Sequence, residues 1–138
     1  MAIIPIDGVI SKQVISVKPD MPIFEAMELL VEHAISGMPV VDDEGHLKGI
    51  LTEKDVLEIL VKKDFAVKDT VATYMSRDVI SFPPDADAAE ICRFFIKSNV
   101  RRVPIIKDGK LVGVISRRDM IKLILDYVSK LSSEHRYS

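Results

Sequence analysis

Gly49-Ile50-Leu51-Thr52-Glu53-Lys54-Asp55 returns later in the chain as Gly113-Val114-Ile115-Ser116-Arg117-Arg118-Asp119. Working outward, Val14-Ile15-Ser16-Val17-Lys18-Pro19-Asp20 returns as Val79-Ile80-Ser81-Phe82-Pro83-Pro84-Asp85, and Met38-Pro39-Val40-Val41 as Val103-Pro104-Ile105-Ile106. The offset is 65 residues as far as Asp42 and 64 from Gly45 onward, so one residue is lost in the second turn. Two units in register over this length indicate a duplicated fold. Two are too few for an open solenoid, and halves packed face to face are expected.

Each repeat reads strand, helix, strand, strand, helix. Val14 to Val17 is a short strand stopped by Pro19, and Pro22 sits where a helix can begin without its N–H. Ile23, Ala26, Met27, Leu30 and Ala34 follow at helical spacing. Met38 to Val41 and Leu47 to Leu51 flank the turn Asp42-Asp43-Glu44-Gly45, and Thr52 opens a helix with Val56, Leu57, Leu60 and Val61 inward. In the second copy Ile80 to Phe82 is the strand, and Asp85 is a candidate N-cap. Ala88, Ile91, Cys92 and Phe95 then share a face, and Val103 to Ile106 pairs with Leu111 to Ile115. The expected division is repeat one over 6–62, a linker over 63–70, repeat two over 71–131 and a fraying polar tail over 132–138. The last helix carries an apolar surplus (Met120, Ile121, Leu123, Ile124, Leu125, Val128, Leu131), which requires burial in its own core or against another chain.

The 138 residues, 48% hydrophobic and 29% charged, describe a globular chain. No apolar run approaches the roughly 18 residues of a spanning helix. The start, Met1-Ala2-Ile3-Ile4-Pro5, lacks the basic region and cleavage site of a secretion signal. A single cysteine, Cys92, excludes an internal disulfide and suits a reducing cytosol, so a cytoplasmic location is expected. The net charge of −2 conceals −6 over residues 1–70 and +4 over 71–138. That asymmetry fits ordinary solvation, an anion held by the basic half, or attraction between two chains. Catalytic and metal constellations are not expected: His33, His46 and His135 are scattered, and none has ligand spacing with Cys92. Nucleic acid is not the expected partner, because the chain is slightly acidic overall and offers no aromatic platform.

Thr52-x-x-Asp55 and Ser116-x-x-Asp119 both fit the helix capping box, which needs no ligand. Three features point further. A glycine, Gly49 or Gly113, lies in both strands leading into the caps. The same cap recurs in both copies, and a helix start offers free amides to a phosphate or ribose oxygen. A carboxylate one turn in can accept from both hydroxyls of a ribose.

The repeats resemble a tandem of CBS domains, the pair known as a Bateman module, with α+β architecture and two β-α-β-β-α repeats related by a pseudo-twofold axis. The resemblance rests on the strands ending in Lys18-Pro19-Asp20 and Pro83-Pro84-Asp85, the runs Ile35-Ser36-Gly37-Met38-Pro39-Val40-Val41-Asp42 and Val100-Arg101-Arg102-Val103-Pro104-Ile105-Ile106, and the Gly-apolar-apolar-Thr/Ser-x-x-Asp endings. Tyr74-Met75-Ser76-Arg77-Asp78 is similar to the family's lead-in to a repeat.

The resemblance implies regulation without catalysis, through an adenosine compound (AMP, ADP, ATP or S-adenosylmethionine) held between the repeats as a regulatory ligand and not a cofactor. Asp55 and Asp119 would hold ribose hydroxyls, supported by Thr52 and Ser116. Thr52 and Asp55 would face Arg101, Arg102 and Pro104, while Ser116 and Asp119 would face Ile35, Ser36, Gly37 and Pro39. Ile15, Ser16, Ile80, Ser81, Ile50 and Val114 would flank the base. Arg101 and Arg102 are either solvated cations or phosphate ligands; repeat one has Ser36-Gly37 there, so unequal sites are expected. The family also implies a homodimer and an effector partner that the sequence does not name. A ligand-free assembly module is the alternative.

Overall fold

Apolar residues recurring at helical and strand periods draw the described residues into five helices and four strands. The computed structural model describes residues 3–62 and 65–136, without side-chain detail beyond residue 132. After a 3-10 turn at Asp7–Val9 come α1 (Ile23–Glu32), β1 (Gly37–Val41), β2 (Leu47–Thr52), α2 (Glu53–Lys62), α3 (Val71–Tyr74), α4 (Ala88–Lys97), β3 (Arg102–Lys107), β4 (Lys110–Ser116) and α5 (Arg117–Arg136). The strands form two separate two-stranded sheets, β1-β2 and β3-β4. Of the expected linker, Lys63 and Asp64 lie outside the described residues, as do Tyr137 and Ser138 of the tail.

The compact units do not follow the chain order of the repeats. One unit comprises residues 14–80 with 108–111; the other comprises residues 1–13, 81–107 and 112–138.

In the unit built on residues 14–80, β1 and β2 run antiparallel, with Gly37 opposite Thr52 and Pro39 opposite Ile50. Val17, Ile23, Ala26, Leu30, Met38, Val40, Leu51, Ile59, Val71 and Met75 make the core. The turn is organised by Asp42, whose Oδ1 accepts from the backbone N–H groups of Glu44 and His46, both at 2.9 Å. Gly45 follows at φ 88°, a conformation glycine adopts without steric cost. Residues 108–111 join this turn: Leu47 N–H donates to Gly109 O at 3.1 Å and Leu111 N–H to Gly45 O at 2.9 Å.

In the other unit the N-terminal arm is part of the core. Ile6 is fully buried with Phe82, Ala88, Ile91, Phe95, Val103, Ile105, Ile115 and Met120, and Ile4, Val9 and Ile10 pack around them. Ile4 is pinned to the start of α4, its carbonyl accepting from Ala88 N–H at 3.0 Å and its N–H donating to Asp87 Oδ1 at 3.2 Å.

Several expectations are corrected. The opening strand of each repeat shrinks to one parallel bridge, Val17 to Val40 and Phe82 to Ile105, because the chain turns away at Pro19 and Pro84. Asp87, not Asp85, caps α4 and accepts from Ala89 N–H. Ala34 lies beyond α1 at φ 52°, in the left-handed region, and is exposed. On α2 the buried residue is Ile59, while Leu57, Leu60 and Val61 are exposed. The apolar arc of that helix is wider than the arc its unit covers. The α5 helix runs to Arg136, past the Leu131 boundary expected for repeat two. Its surplus is not taken up by its own core: Met120 is buried and Leu123 half-buried, but Ile121, Ile124, Leu125, Val128 and Leu131 are exposed. Among the described residues no helix is long and apolar enough to cross a membrane.

Candidate functional site

Each helix that follows a Gly-containing strand is closed by its own Asp. Thr52 N–H and Thr52 Oγ1 both donate to Asp55 Oδ2 at 2.9 Å, and Asp55 N–H returns to Thr52 Oγ1 at 3.3 Å. In the second copy Ser116 N–H donates to Asp119 Oδ2 at 2.8 Å, and Asp119 N–H to Ser116 Oγ at 3.1 Å. Both are reciprocal capping boxes. They use only Oδ2; among the described residues the Oδ1 atoms of Asp55 and Asp119 accept no side-chain or backbone hydrogen bond. A carboxylate oxygen has two lone-pair sites, so each Oδ1 can take two hydroxyl donors without opening the cap. Both acids are half-buried, which leaves them reachable.

The glycines before the caps admit another piece of backbone. A Cβ on Gly49 would lie 2.6 Å from Ser76 O, and one on Gly113 would meet Ile10 Cγ2 and lie 2.7 Å from Ser11 O. Accordingly Ile50 and Ser76 exchange two backbone bonds, at 2.9 and 2.8 Å, and Val114 and Ser11 exchange two at 3.0 and 2.9 Å. Thus Ile50 and Val114 are each fixed by a lead-in segment. Sequence reading places Ser76 in the lead-in Tyr74-Met75-Ser76-Arg77-Asp78 and Ser11 in its counterpart Val9-Ile10-Ser11-Lys12-Gln13, without assigning either this contact; a glycine inside an otherwise apolar strand is the available signal.

The remaining residues fall into two groups, one in each unit. With Thr52 and Asp55 stand Gly37, directly opposite Thr52, and Pro39, buried opposite Ile50. Ser36 O accepts from Glu53 N–H at 2.9 Å, and Ile35 is half-buried beside it. Ile15 packs at the edge of this core, Ser16 is exposed, and Ile80 is 55% exposed. With Ser116 and Asp119 stand Arg101, whose carbonyl accepts from Arg117 N–H at 3.0 Å, and Pro104, buried and bonded through its carbonyl to Phe82 N–H at 3.1 Å. Ser81 is half-buried in the same unit. Arg101 and Arg102 expose their side chains, and neither joins an ion pair among the described residues.

The loop that carries those arginines is held by a residue sequence reading did not single out. Arg117 Nε donates to Val100 O at 2.9 Å, and its Nη2 to Phe95 O at 2.7 Å and to Ser98 O. Its guanidinium lies 5.7 Å from the Phe95 ring centre. Repeat one has Glu53 at this position and closes α1 differently: Ala34 N–H bonds to Val31 O and Ile35 N–H to Leu30 O, both at 3.2 Å. Cys92 is half-buried, and desolvation pushes its thiol above the ordinary range, which disfavours the thiolate.

The CBS domain model matches residues 6–62 and again residues 67–126. The chain belongs to the CBS domain family. An uncharacterised protein of Methanocaldococcus jannaschii is 32% identical over 120 residues, covering 87% of this chain and 42% of the relative. The inosine-5′-monophosphate dehydrogenase of the same organism is 38% identical over 117 residues, 84% of this chain but only 23% of the enzyme. The CBS chain therefore spans less than half of either relative. Among solved structures, CBSX2 in complex with AMP superposes with a TM-score of 0.79 at 25% identity, covering 89% of this chain and 97% of that one. The CBS domain pair of protein MJ0100, in complex with 5′-methylthioadenosine and S-adenosyl-L-methionine, superposes at 0.76 with 28% identity, covering 91% and 99%.

Proposed function

We propose that this CBS pair is a regulatory module that takes an adenosine-containing ligand between its repeats, with Asp55 and Asp119 accepting from ribose hydroxyls. The carrying observation is the twofold recurrence of one arrangement: a capped helix start, an uncommitted Oδ1 and an adjoining strand held at Ile50 or Val114. CBS pairs of the same fold crystallised with AMP, or with 5′-methylthioadenosine and S-adenosyl-L-methionine, support the ligand class. In this reading each ligand takes its second wall from the other repeat. The cap of Thr52 and Asp55 faces Arg101, Arg102 and Pro104, and the cap of Ser116 and Asp119 faces Ile35, Ser36, Gly37 and Pro39. The site with two guanidinium groups prefers a phosphorylated ligand and the other a less charged one. The module carries no chemistry of its own, works in the cytoplasm, and passes ligand occupancy to a partner protein.

A thermal-shift screen of AMP, ADP, ATP, NAD and S-adenosylmethionine tests the class. A ligand at about 100 times its Kd stabilises the fold by roughly 2.7 kcal/mol. Calorimetric titration then tests the residues: Asp55→Ala and Asp119→Ala each cost about 1.5–3 kcal/mol of affinity, or about ten- to a hundredfold. Unchanged affinity in both variants refutes the assignment.

The exposed stripes on α2 and α5 favour self-association as well, and we read the active species as a homodimer. They also favour a second reading, an assembly module without ligand, since each capping box is complete in itself. Silence across the ligand screen together with a dimer mass would select that reading.

A further inference from the structure

The turn of the second hairpin does not stay with its own strands. Arg102 to Lys107 and Val112 to Ser116 belong to one unit, while Asp108 to Leu111 between them belong to the unit of residues 14–80. There Leu47 N–H donates to Gly109 O at 3.1 Å and Leu111 N–H to Gly45 O at 2.9 Å. Gly109, Lys110 and Leu111 are the counterparts of Gly45, His46 and Leu47 at the 64-residue offset, so the two bonds are copies of one another. His46 and Lys110 face each other between them, as the non-hydrogen-bonded pair of an antiparallel bridge. The His46 ring lies against Gly109, where a Cβ would come within 3.2 Å of its Cδ2. One side of this clasp is braced, since Asp42 Oδ1 holds the His46 N–H. The other side is not: Asp108, Gly109 and Lys110 are exposed, and Leu47 and Leu111 are only half-buried. Two backbone bonds with so little burial around them form a contact that opens locally, without global unfolding. Leu47 begins β2, which ends at Thr52, and Leu111 lies at the start of β4, which ends at Ser116. Each clasp donor therefore stands five residues before a cap, about 17 Å along an extended strand.

We propose that this clasp is a latch, open part of the time in the free chain and closed by ligand, which turns occupancy of a cap into a change at the far end of the strand behind it. The inference rests on the adenosine reading above and adds its moving part. A ligand that fixes Thr52 or Ser116 also orders the strand leading into that residue. Closing the latch needs the start of the same strand held, so the liganded chain closes at a smaller cost in order. Linkage makes the effect reciprocal: holding the latch open weakens the ligand by the factor by which the ligand closes the latch. Closed, the Gly45 carbonyl and the Leu47 N–H are spent on the turn; open, they are offered to another chain.

Hydrogen exchange on the full chain, with AMP as the probe, tests the latch. Without AMP the amides of Leu47 and Leu111 should exchange roughly tenfold faster than those of Ile50 and Val114, and with protection equal to within about twofold, since one opening exposes both. Saturating AMP should slow both roughly fivefold. Leu111→Pro removes a donor that serves Gly45 and not its own hairpin, and should weaken AMP about fivefold in calorimetric titration. His46→Cys with Lys110→Cys, on a Cys92→Ala background, should form a disulfide on mild oxidation, as the spacing of a non-hydrogen-bonded pair allows. The oxidised form should slow Leu47 and Leu111 to the rates of Ile50 and Val114, with the reduced protein as control. Clasp amides no faster than Ile50 and Val114, a cysteine pair that stays reduced, or AMP that binds without slowing the clasp would overturn the latch and leave the ligand reading intact. A parent chain that binds neither AMP nor any other compound of the thermal-shift screen would overturn both.

Discussion

Arg117 reaches back from the first turn of α5 to the Val100 carbonyl, 2.9 Å from its Nε, and so ties the loop after α4 to the capped helix start. The same guanidinium serves Phe95 and Ser98, so one side chain satisfies three carbonyls at a helix end that has no intrahelical donors for them. Arg101 and Arg102 follow directly. The loop proposed to meet a phosphate is therefore tied down by a third guanidinium, whose Nε and Nη2 are spent on backbone carbonyls.

Arg117→Ala is accordingly expected to destabilise the chain by about 1–2 kcal/mol, since charge-assisted bonds are lost at a partly exposed site. Arg117→Lys should recover little, because an ammonium cannot span carbonyls arranged for a planar fork. Urea unfolding of the three proteins measures this. Equal midpoints for the parent and the alanine variant would show that the bonds seen around Arg117 contribute nothing net.

Repeat one reaches the same end by backbone alone. The bonds from Ala34 and Ile35 to Val31 and Leu30 form the helix-closing motif that normally places glycine where Ala34 stands. At φ 52° an alanine carries a steric cost. Ala34→Gly should raise stability by about 0.5–1 kcal/mol, the relief being offset in part by the greater freedom of glycine in the unfolded chain. Ala34→Val should lower it. Thermal unfolding of both variants checks the signs, and a destabilised glycine variant would contradict this account of the cap.

Gly49 and Gly113 give a stronger expectation. A methyl group at Gly49 meets the Ser76 carbonyl at 2.6 Å, and backbone cannot rotate aside. Gly49→Ala and Gly113→Ala should each cost about 2–3 kcal/mol through overpacking and disturbed backbone pairing. Hydrogen exchange should then accelerate at the amides of Ile50 and Ser76 in the first variant, and at Ser11 and Val114 in the second. Acceleration confined to other segments would show that the glycines are required for something else.

The duplication made the strand pairs and the two capping boxes readable, because both depend on residues within a few positions of one another. What escaped the sequence was non-local. The N-terminal arm groups with residues 81–107, although by sequence most of it falls within repeat one, because Ile6 fills a core bounded by Phe82, Ile91 and Ile115. The role of Arg117 depends on bonds to a helix end and the loop after it, 17 to 22 residues earlier, and no periodicity reports such bonds. Leu57, Leu60 and Val61 read as core because a helical stripe shows where apolar residues cluster, not how much of the stripe the unit covers. The caps were legible as local structure; whether they act as ligand acceptors is a property of what lies across from them.

Acid should loosen the fold through two turn carboxylates. Asp42 is held below the usual carboxylate range chiefly by the His46 backbone N–H, and Asp69 by the Ala66 N–H at 2.8 Å and then by the Tyr74 hydroxyl at 2.6 Å. Both folded pKa values lie below the unfolded value of about 3.9. The unfolded chain therefore binds protons first as pH falls, and the stabilisation present above that value is lost as pH drops through the folded pKa values. Asparagine keeps an acceptor oxygen but cannot titrate. Asp42→Asn and Asp69→Asn should each flatten the decline in urea midpoint below about pH 4, while their stability changes little with pH above about 5. An acid limb of unchanged steepness in the double variant would assign the loss to other carboxylates.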